Sequence, residues 1–146
     1  MGDRTVNRLV ILGVAASDAH VVANQLIAMH LRHHGFRVVN LGACTPLAEF
    51  ADAWAAHPDA VAVIIGSLNG HARQDLDGLA RLRTAGRIGC PVIVGGNLSV
   101  GSHKDPQLRQ RILDLGVDHV LDDVTELVPL LDMLGADARA VEVRGG

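Results

Sequence analysis

The chain has 146 residues and a formal net charge of −3, and 49% of its residues are hydrophobic while only 2% are aromatic. This length suits one domain that folds without disulfides or metals, and a core of Val, Leu, Ile and Ala is typical of helices packed on a parallel sheet. The charged residues are spread without basic runs, which excludes the charge pattern of proteins that bind nucleic acid or anionic membranes.

Apolar runs and helical spacings alternate along the chain. Short β-branched runs predict strands buried on both faces, and apolar residues at helical spacing, ended by Gly or Pro, predict helices. In chain order the predicted elements are a strand from Arg8 to Val14, a helix from Val21 up to Gly35, a strand from Arg37 to Leu41, a helix from Pro46 to His57, a strand from Ala60 to Ile65, a helix from Ala72 to Ala85, a strand from Pro91 to Val94, a helix from Pro106 to Leu115, a strand from Val117 to Leu121 and a helix from Val124 to Leu134.

This alternation predicts a single α/β domain with a doubly wound, five-stranded parallel sheet of the flavodoxin-like or Rossmann-like type. We expect the domain to span residues 1–135, followed by a flexible C-terminal tail over residues 136–146, where small and polar residues prevail. Sheets of this type bind ligands outside the carboxyl ends of their strands. The loops that follow the strands are therefore the candidate site.

The cysteines and the first apolar run indicate a cytoplasmic protein. Cys44 and Cys90 are far apart and neither lies in a CxxC pattern, so neither a disulfide framework nor a zinc site is indicated. The first apolar run is too short for a signal peptide or a membrane span. We expect no membrane partner.

Several common ligands of this architecture do not suit these loops. The first loop, from Gly13 to Ser17, lacks the GxGxxG of dinucleotide-binding folds, and the P-loop pattern with its lysine is absent. Gly66 and Asp122 occupy the positions where a phosphoreceiver domain has its aspartate and its lysine. The chain has no Tyr, and its single Trp54 lies within a predicted helix, so the aromatic sandwich of a flavin site is not expected.

The first loop also carries an acid and an imidazole two residues apart, Asp18 and His20. In one interpretation Asp18 caps the following helix and His20 is a solvated residue of its first turn, and the pattern alone favours this interpretation. In the other, His20 binds a metal while Asp18 accepts a hydrogen bond from the second ring nitrogen. The further protein ligands that zinc needs are missing nearby, so such a metal has to bring most of its own coordination sphere, as the cobalt of a corrin does.

Three segments together resemble the DxHxxG, SxL and GG motifs of cobalamin (vitamin B12)-binding domains. They are Asp18 to Ala23, Gly66 to Leu68 and Gly95-Gly96, and each follows a predicted strand. Within that family the chain resembles the small subunit of glutamate mutase (methylaspartate mutase) up to about Val120. That resemblance is carried by Leu12 to Val14 with Ser17 to His20, by Val38 to Gly42 and by Val94 to Gly101.

The resemblance implies that His20 is the axial cobalt ligand, in place of the dimethylbenzimidazole of the cofactor, and that Asp18 is its hydrogen-bond partner. The displaced nucleotide tail then enters a slot between the sheet and the helices, where glycines permit close backbone approach and Ser67 and Ser99 are candidate donors. The cofactor-binding residues implied in this way are Ser17, Asp18, Ala19, His20, Val21, Gly66, Ser67, Leu68, Gly95, Gly96, Asn97, Leu98, Ser99, Val100 and Gly101. No residue of the chain is assigned a catalytic role.

Two positions depart from these motifs. Ala23 stands where the family has the glycine that closes DxHxxG, and it adds one methyl group in the first helical turn. Gly66 stands where the family has the serine that opens SxL, which removes a hydroxyl contact to the benzimidazole worth about 1 kcal/mol unless Ser67 replaces it. We expect cofactor binding to survive both changes.

The resemblance implies the cofactor-binding subunit of an adenosylcobalamin-dependent carbon-skeleton mutase, an isomerase that converts L-glutamate to threo-3-methylaspartate. It further implies a separate large barrel-type subunit with the substrate site, a heterotetramer as the expected assembly, and no activity of this chain alone. Two alternatives stay open: a corrinoid carrier for methyl transfer or a B12-responsive binding module, and a degenerate domain kept for protein interaction. The predicted first strand begins close to the start of the sequence, without the helical domain that usually precedes the corrinoid domain of carriers, and we therefore expect the mutase.

Overall fold

The computed structural model describes residues 8–15, 21–66, 72–95, 106–121 and 123–145, and within these ranges it does not describe the side chains of residues 21–23, 72, 73, 106, 108 and 137–145. The elements in chain order are β1 Leu9–Val14, α1 Val21–His33, β2 Arg37–Asn40, α2 Leu47–Ala56, β3 Ala62–Gly66, α3 Ala72–Asp75, α4 Leu79–Thr84, β4 Val92–Gly95, α5 Pro106–Asp114, β5 His119–Leu121, a 3₁₀ turn Val124–Glu126 and α6 Leu127–Gly145.

The strands form one parallel sheet in the order β2-β1-β3-β4-β5. This is the flavodoxin-like order, in which the chain reverses its direction of growth between β1 and β3. The predicted fold class is confirmed. Ligands of such folds bind at the carboxyl edge near this switch point, so the loops after β1 and β3 lie at the expected position.

Both faces of the sheet are buried, as the continuous apolar runs predicted. Side chains alternate between the two faces along each strand. On one face, Val10 and Leu12 of β1 pack with α1 and α6, which contribute residues such as Leu31 and Leu131. On the other face, Ile11 joins a larger cluster that includes residues of α2, α4 and α5. The candidate cavity described below lies on the face that α1 and α6 cover.

The predicted helix from Ala72 to Ala85 is two helices in the structure. The first, α3, ends at Asp75, and α4 begins at Leu79 after Gly78, whose φ of +93° is left-handed. A left-handed residue cannot continue a right-handed helix, and glycine adopts this conformation without steric penalty. The prediction of one continuous helix was therefore wrong at Gly78.

The last predicted helix differs from the structure at both ends. It opens with a 3₁₀ turn, in which Thr125 N–H donates to the Asp123 carboxylate at 2.9 Å, so that Asp123 caps this end of the helix. It then continues past the predicted end at Leu134 to Gly145, because one glycine at Gly135 is tolerated within a run of helix-forming residues. The end at Leu134 was wrong, and the flexibility of residues 136–146 stays a prediction.

Candidate cofactor-binding site

The carboxyl edge of the sheet has a notch at its centre. Val14, Gly66, Gly95 and Leu121 are register partners on four neighbouring strands, β1, β3, β4 and β5. The two outer positions carry branched side chains and the two central positions carry none. Two residues earlier on the same strands, Leu12, Ile64 and Ile93 form a continuous apolar row below the notch. The edge therefore leaves open space above an apolar floor.

A cavity of about 450 Å³ occupies this space between the sheet, α1 and the start of α6. Its volume lies within the range of about 300–1,000 Å³ that is usual for small-molecule sites. The strands contribute the notch and the apolar row, and the helical walls contribute Asn24, Leu26, Ile27 and His30 from α1 and Asp123, Val124 and Leu127 from the segment after β5. Such a cavity suits a flat, largely apolar group with a few polar substituents.

The fold does not require glycine at Gly66 or Gly95. A Cβ built on Gly66 would lie 3.8 Å from Gly13 O and 3.9 Å from Val14 Cγ2, and one on Gly95 would lie 3.7 Å from Leu121 O. These are ordinary van der Waals distances. Neither Gly66 nor Gly95 has a positive φ, so the backbone conformation does not require glycine at either position. Both positions would accept a side chain, and that side chain would occupy part of the cavity.

Two other glycines, Gly13 within β1 and Gly89 before β4, differ because protein side chains fill the space beside them. A Cβ on Gly13 would lie 2.7 Å from the Phe50 ring, and one on Gly89 would lie 2.8 Å from the Trp54 ring. Such distances are shorter than packed atoms tolerate, so these two glycines serve the packing of the core. At Gly66 and Gly95 the space is left to something other than the described protein residues.

One polar side chain is buried in the α1 wall of the cavity. Asn24 is only 3% exposed. Its Nδ2 donates to Asn40 Oδ1 at 2.7 Å, and the same Asn40 oxygen accepts a hydrogen bond from the Gly42 backbone N–H at 2.9 Å. These bonds tie the first turns of α1 to the end of β2 and to the loop that follows it.

The loop after β2 is fixed against the end of β1. Val14 N–H donates to Gly42 O and Thr45 N–H donates to Val14 O, both at 2.8 Å. Gly42 and Cys44 have positive φ values of 85° and 55°, which let the loop turn within this short span. Ala15 N–H donates to Gly66 O at 2.9 Å, so the end of β1 is tied to the notch as well. The backbone around the cavity is thus fixed on two sides.

The two cysteines differ in their environment. Cys44 is exposed on the loop after β2, and Cys90 is buried just before β4, at the opposite end of that strand from the notch. Burial raises the pKa of the Cys90 thiol to about 11, although the Arg83 guanidinium opposes this shift. Cys90 is a packing residue remote from the cavity.

The described ranges contain no group of three or more His, Cys, Asp and Glu residues placed to hold a metal ion. A metal in this part of the chain therefore has to carry other ligands of its own. No helix within the same ranges has the length and apolar character needed to cross a bilayer.

Part of the predicted site lies within the described residues. Gly66 and Gly95 are brought together as neighbours on β3 and β4, and Val21 is the first residue of α1. The remaining predicted residues lie outside the described ranges: Ser17, Asp18, Ala19, His20, Ser67, Leu68, Gly96, Asn97, Leu98, Ser99, Val100 and Gly101. The described ends of β1, β3 and β4, to which these residues connect, all lie at the edge that bounds the cavity.

Sequence reasoning missed the helical walls of the cavity. Asn24, His30 and Leu127 were not predicted as site residues, and each lines the cavity in the structure. The available signal was Asn24, a polar residue among the apolar positions of a predicted helix, which only a buried partner would explain. His30 and Leu127 gave no such signal.

Comparisons with known proteins agree with this geometry. Residues 8–121 match the B12 binding domain family. The glutamate mutase sigma subunit of Halobacterium salinarum is 43% identical over 123 residues, which are 84% of this chain and 82% of that protein. The glutamate mutase sigma subunit of Treponema denticola is 34% identical over 128 residues, which are 87% of this chain and 91% of that protein.

The fold is similar to that of a solved cobalamin-binding protein from Desulfitobacterium hafniense, with a TM-score of 0.70 at 18% identity. The aligned part covers 88% of this chain and 59% of that one, and at this identity the likeness concerns the fold alone. Sequence and fold point the same way: the chain belongs to the B12 binding domain family and, within it, to the glutamate mutase sigma subunits.

Proposed function

We propose that the chain is the cobalamin-binding subunit of an adenosylcobalamin-dependent mutase of the glutamate mutase type. The observation that supports this proposal best is the cavity below the notch of Gly66 and Gly95, because the packing of the described residues does not need either glycine. The notch lies at the carboxyl edge of the sheet in a chain that matches the B12 binding domain over residues 8–121.

In this proposal the cavity holds the nucleotide tail of the cofactor. The flat benzimidazole would lie over the apolar row of Leu12, Ile64 and Ile93, with the notch giving it close approach to the backbone of β3 and β4. Burying an aromatic group of this size among aliphatic side chains is favourable at roughly 25 cal/mol per Å² of apolar surface. The walls and floor thus fit the group that they would hold.

His20 would bind the cobalt from below, with Asp18 holding its second ring nitrogen. This assignment is supported by the DxH pattern and by the position of residues 16–20, which connect Ala15 at the end of β1 to Val21 at the start of α1. A carboxylate partner on a metal-bound imidazole fixes the tautomer and raises the basicity of the ligand. Ser17, Ser67 and Ser99 would supply polar contacts around the displaced tail.

The chemistry would be divided between two subunits. Bound adenosylcobalamin supplies the radical that begins the rearrangement of L-glutamate to threo-3-methylaspartate, and this chain would orient it and exclude water from its lower face. The cavity of the described residues is assigned to the nucleotide tail of the cofactor in this proposal. A separate large subunit would bind glutamate, and the name "sigma subunit" of the relatives implies that those proteins work with a further subunit.

The test is reconstitution with a large subunit. The purified chain is mixed with adenosylcobalamin and a large glutamate mutase subunit, and formation of methylaspartate from glutamate is followed. We expect turnover only when both subunits and the cofactor are present, and no turnover by this chain alone. Binding of cobalamin without turnover of glutamate, but with turnover of a related amino acid, would reject the substrate and keep the class of reaction.

A further inference from the structure

The amide of Asn24 has a single orientation in the structure, which the hydrogen bonds of Asn40 determine. The backbone N–H of Gly42 can only donate, so the Asn40 atom that it reaches at 2.9 Å must be the oxygen. The same Asn40 oxygen lies 2.7 Å from the amide of Asn24, so the Asn24 atom that faces it must be the nitrogen. The Asn24 oxygen, Oδ1, therefore points away from Asn40.

This oxygen is an acceptor without a partner in the described part of the chain. Asn24 is only 3% exposed, and no hydrogen bond joins its Oδ1 to a described residue. This oxygen is nevertheless not completely enclosed by the protein. It differs in this from Trp54 Nε1, which is fully buried and has no hydrogen-bond partner among the described residues. Since Asn24 lines the cavity, the accessible side of its amide is the cavity side. A buried hydrogen-bond acceptor at this place favours a ligand that carries a hydrogen-bond donor.

We propose that Asn24 is a specificity-determining residue that accepts a hydrogen bond from a ribose hydroxyl of the cofactor's nucleotide tail. The proposal rests on the proposed function, in which that tail occupies the cavity. The ribose hydroxyl is identified as the donor by comparing the chemical groups of the nucleotide. The glycosylated dimethylbenzimidazole carries no N–H or O–H, and the phosphodiester is an anion that offers acceptors only, so the ribose is the part of the nucleotide that can donate.

The apolar floor of the described cavity limits the contacts that compete with this one, although His30 and Asp123 are also polar residues of its walls. Leu12, Ile64 and Ile93 below the notch offer no hydrogen bond to a hydroxyl, while Asn24 stands beside them with its nitrogen already engaged. The amide can therefore act toward the cavity as an acceptor but not as a donor. It should favour a nucleotide tail with a free ribose hydroxyl and discriminate against a tail that presents only acceptors.

The test compares cobalamin with cobinamide, a corrinoid that lacks the nucleotide tail. Dissociation constants of both are measured from visible spectra for the wild-type chain and for Asn24→Leu, which keeps the volume of the side chain and removes its polar atoms. We expect Asn24→Leu to bind cobalamin about tenfold more weakly, the usual order for a buried donor that loses its acceptor. Its affinity for cobinamide should stay within about twofold of wild type, because cobinamide places nothing in the cavity.

Asn40→Ala is the matched structural control. It breaks the same link between α1 and β2 but leaves the Asn24 oxygen in place, so it should weaken cobalamin binding clearly less than Asn24→Leu does. Asn24→Ala serves as a second variant, with the same selective loss expected. An equal loss in Asn24→Leu and Asn40→Ala, or an equal loss for cobalamin and cobinamide, would overturn the proposal and leave Asn24 a structural residue.

The same binding experiment distinguishes a failure of the proposed function from a failure of the role proposed for Asn24. If wild-type protein retains neither corrinoid, the function itself is wrong and the inference falls with it. If wild-type protein binds cobalamin more tightly than cobinamide and Asn24→Leu binds both like wild type, the function stands and the role of Asn24 is rejected.

Discussion

Gly66 and Gly95 face each other as register partners across β3 and β4, at the last position of both strands. An added Cβ on either would be at least 3.7 Å from its neighbours. A pair of adjacent glycines that the protein does not fill is unusual at the end of two buried strands, because glycine there weakens the strand and provides no packing. The pair is explained if a ligand approaches the backbone at this point.

Gly13→Ala and Gly66→Ala should affect the free energy of unfolding differently. Gly13→Ala places a methyl group 2.7 Å from the Phe50 ring and should lower the free energy of unfolding by about 1–3 kcal/mol through overpacking. Gly66→Ala should leave that free energy unchanged or raise it by up to about 1 kcal/mol, because it restricts the unfolded chain and lies no closer than 3.8 Å to any described residue. Urea unfolding of the two variants at one pH makes the comparison.

A comparable loss of stability in both variants would mean that the space beside Gly66 is not open. In that case the notch would be a product of core packing, as it is at Gly13.

A larger side chain at Gly66 should block the cofactor tail. Gly66→Leu fills part of the cavity above Ile64, so cobalamin affinity should fall by at least tenfold while cobinamide affinity is retained. Ala55→Leu, on the exposed side of α2 and on the other face of the sheet, is the matched control and should bind both corrinoids like wild type. Spectral titration with each corrinoid gives the four affinities. Unchanged cobalamin binding by Gly66→Leu would show that the nucleotide tail does not bind in this cavity.

The stability of the chain should decrease in alkaline solution through Cys90. Burial raises the pKa of its thiol from 9.0 to about 11, so between these two values the folded chain holds a proton that the unfolded chain has lost. The stabilisation is therefore complete below pH 9 and lost as the pH rises to about 11, a decrease of about 2–3 kcal/mol.

Urea unfolding at pH 8 and at pH 11 measures this change, with Cys90→Ala as the control that lacks the titrating group. The difference in stability between wild type and Cys90→Ala should shrink at the higher pH. A constant difference would show that the thiol titrates alike in both states.

The central strands β1, β3 and β4 could be predicted from the sequence because each lies in a continuous apolar run. All six residues of β1 are buried, as such a run requires in a sheet covered on both faces. The helix α1 was predicted from its apolar spacing, yet Leu26 and Met29 of that spacing are 60% and 63% exposed. Spacing indicates that a helix forms, but the face that is buried depends on the neighbouring elements.

The hydrogen bond between Asn24 and Asn40 could not be predicted in this way. It joins residues 16 positions apart, and it forms because β2 pairs with β1 and brings its carboxyl end beside the first turns of α1. The break at Gly78 was missed for a similar reason, since a lone glycine in a helical pattern is compatible with both a continuous helix and a turn. The notch could have been predicted from the sequence, because Gly66 and Gly95 directly follow two consecutive predicted strands.

The measurement that tests cobalt ligation by His20 most directly is paramagnetic resonance of the purified chain with Co(II) cobalamin. We predict that the hyperfine splitting from one axial nitrogen in the wild-type chain changes from a triplet to a doublet when its histidines are labelled with nitrogen-15, and that labelled His20→Ala loses this doublet under conditions where the variant remains folded. A wild-type spectrum without this splitting, or the same splitting in His20→Ala, would contradict His20 as the lower ligand of the cobalt.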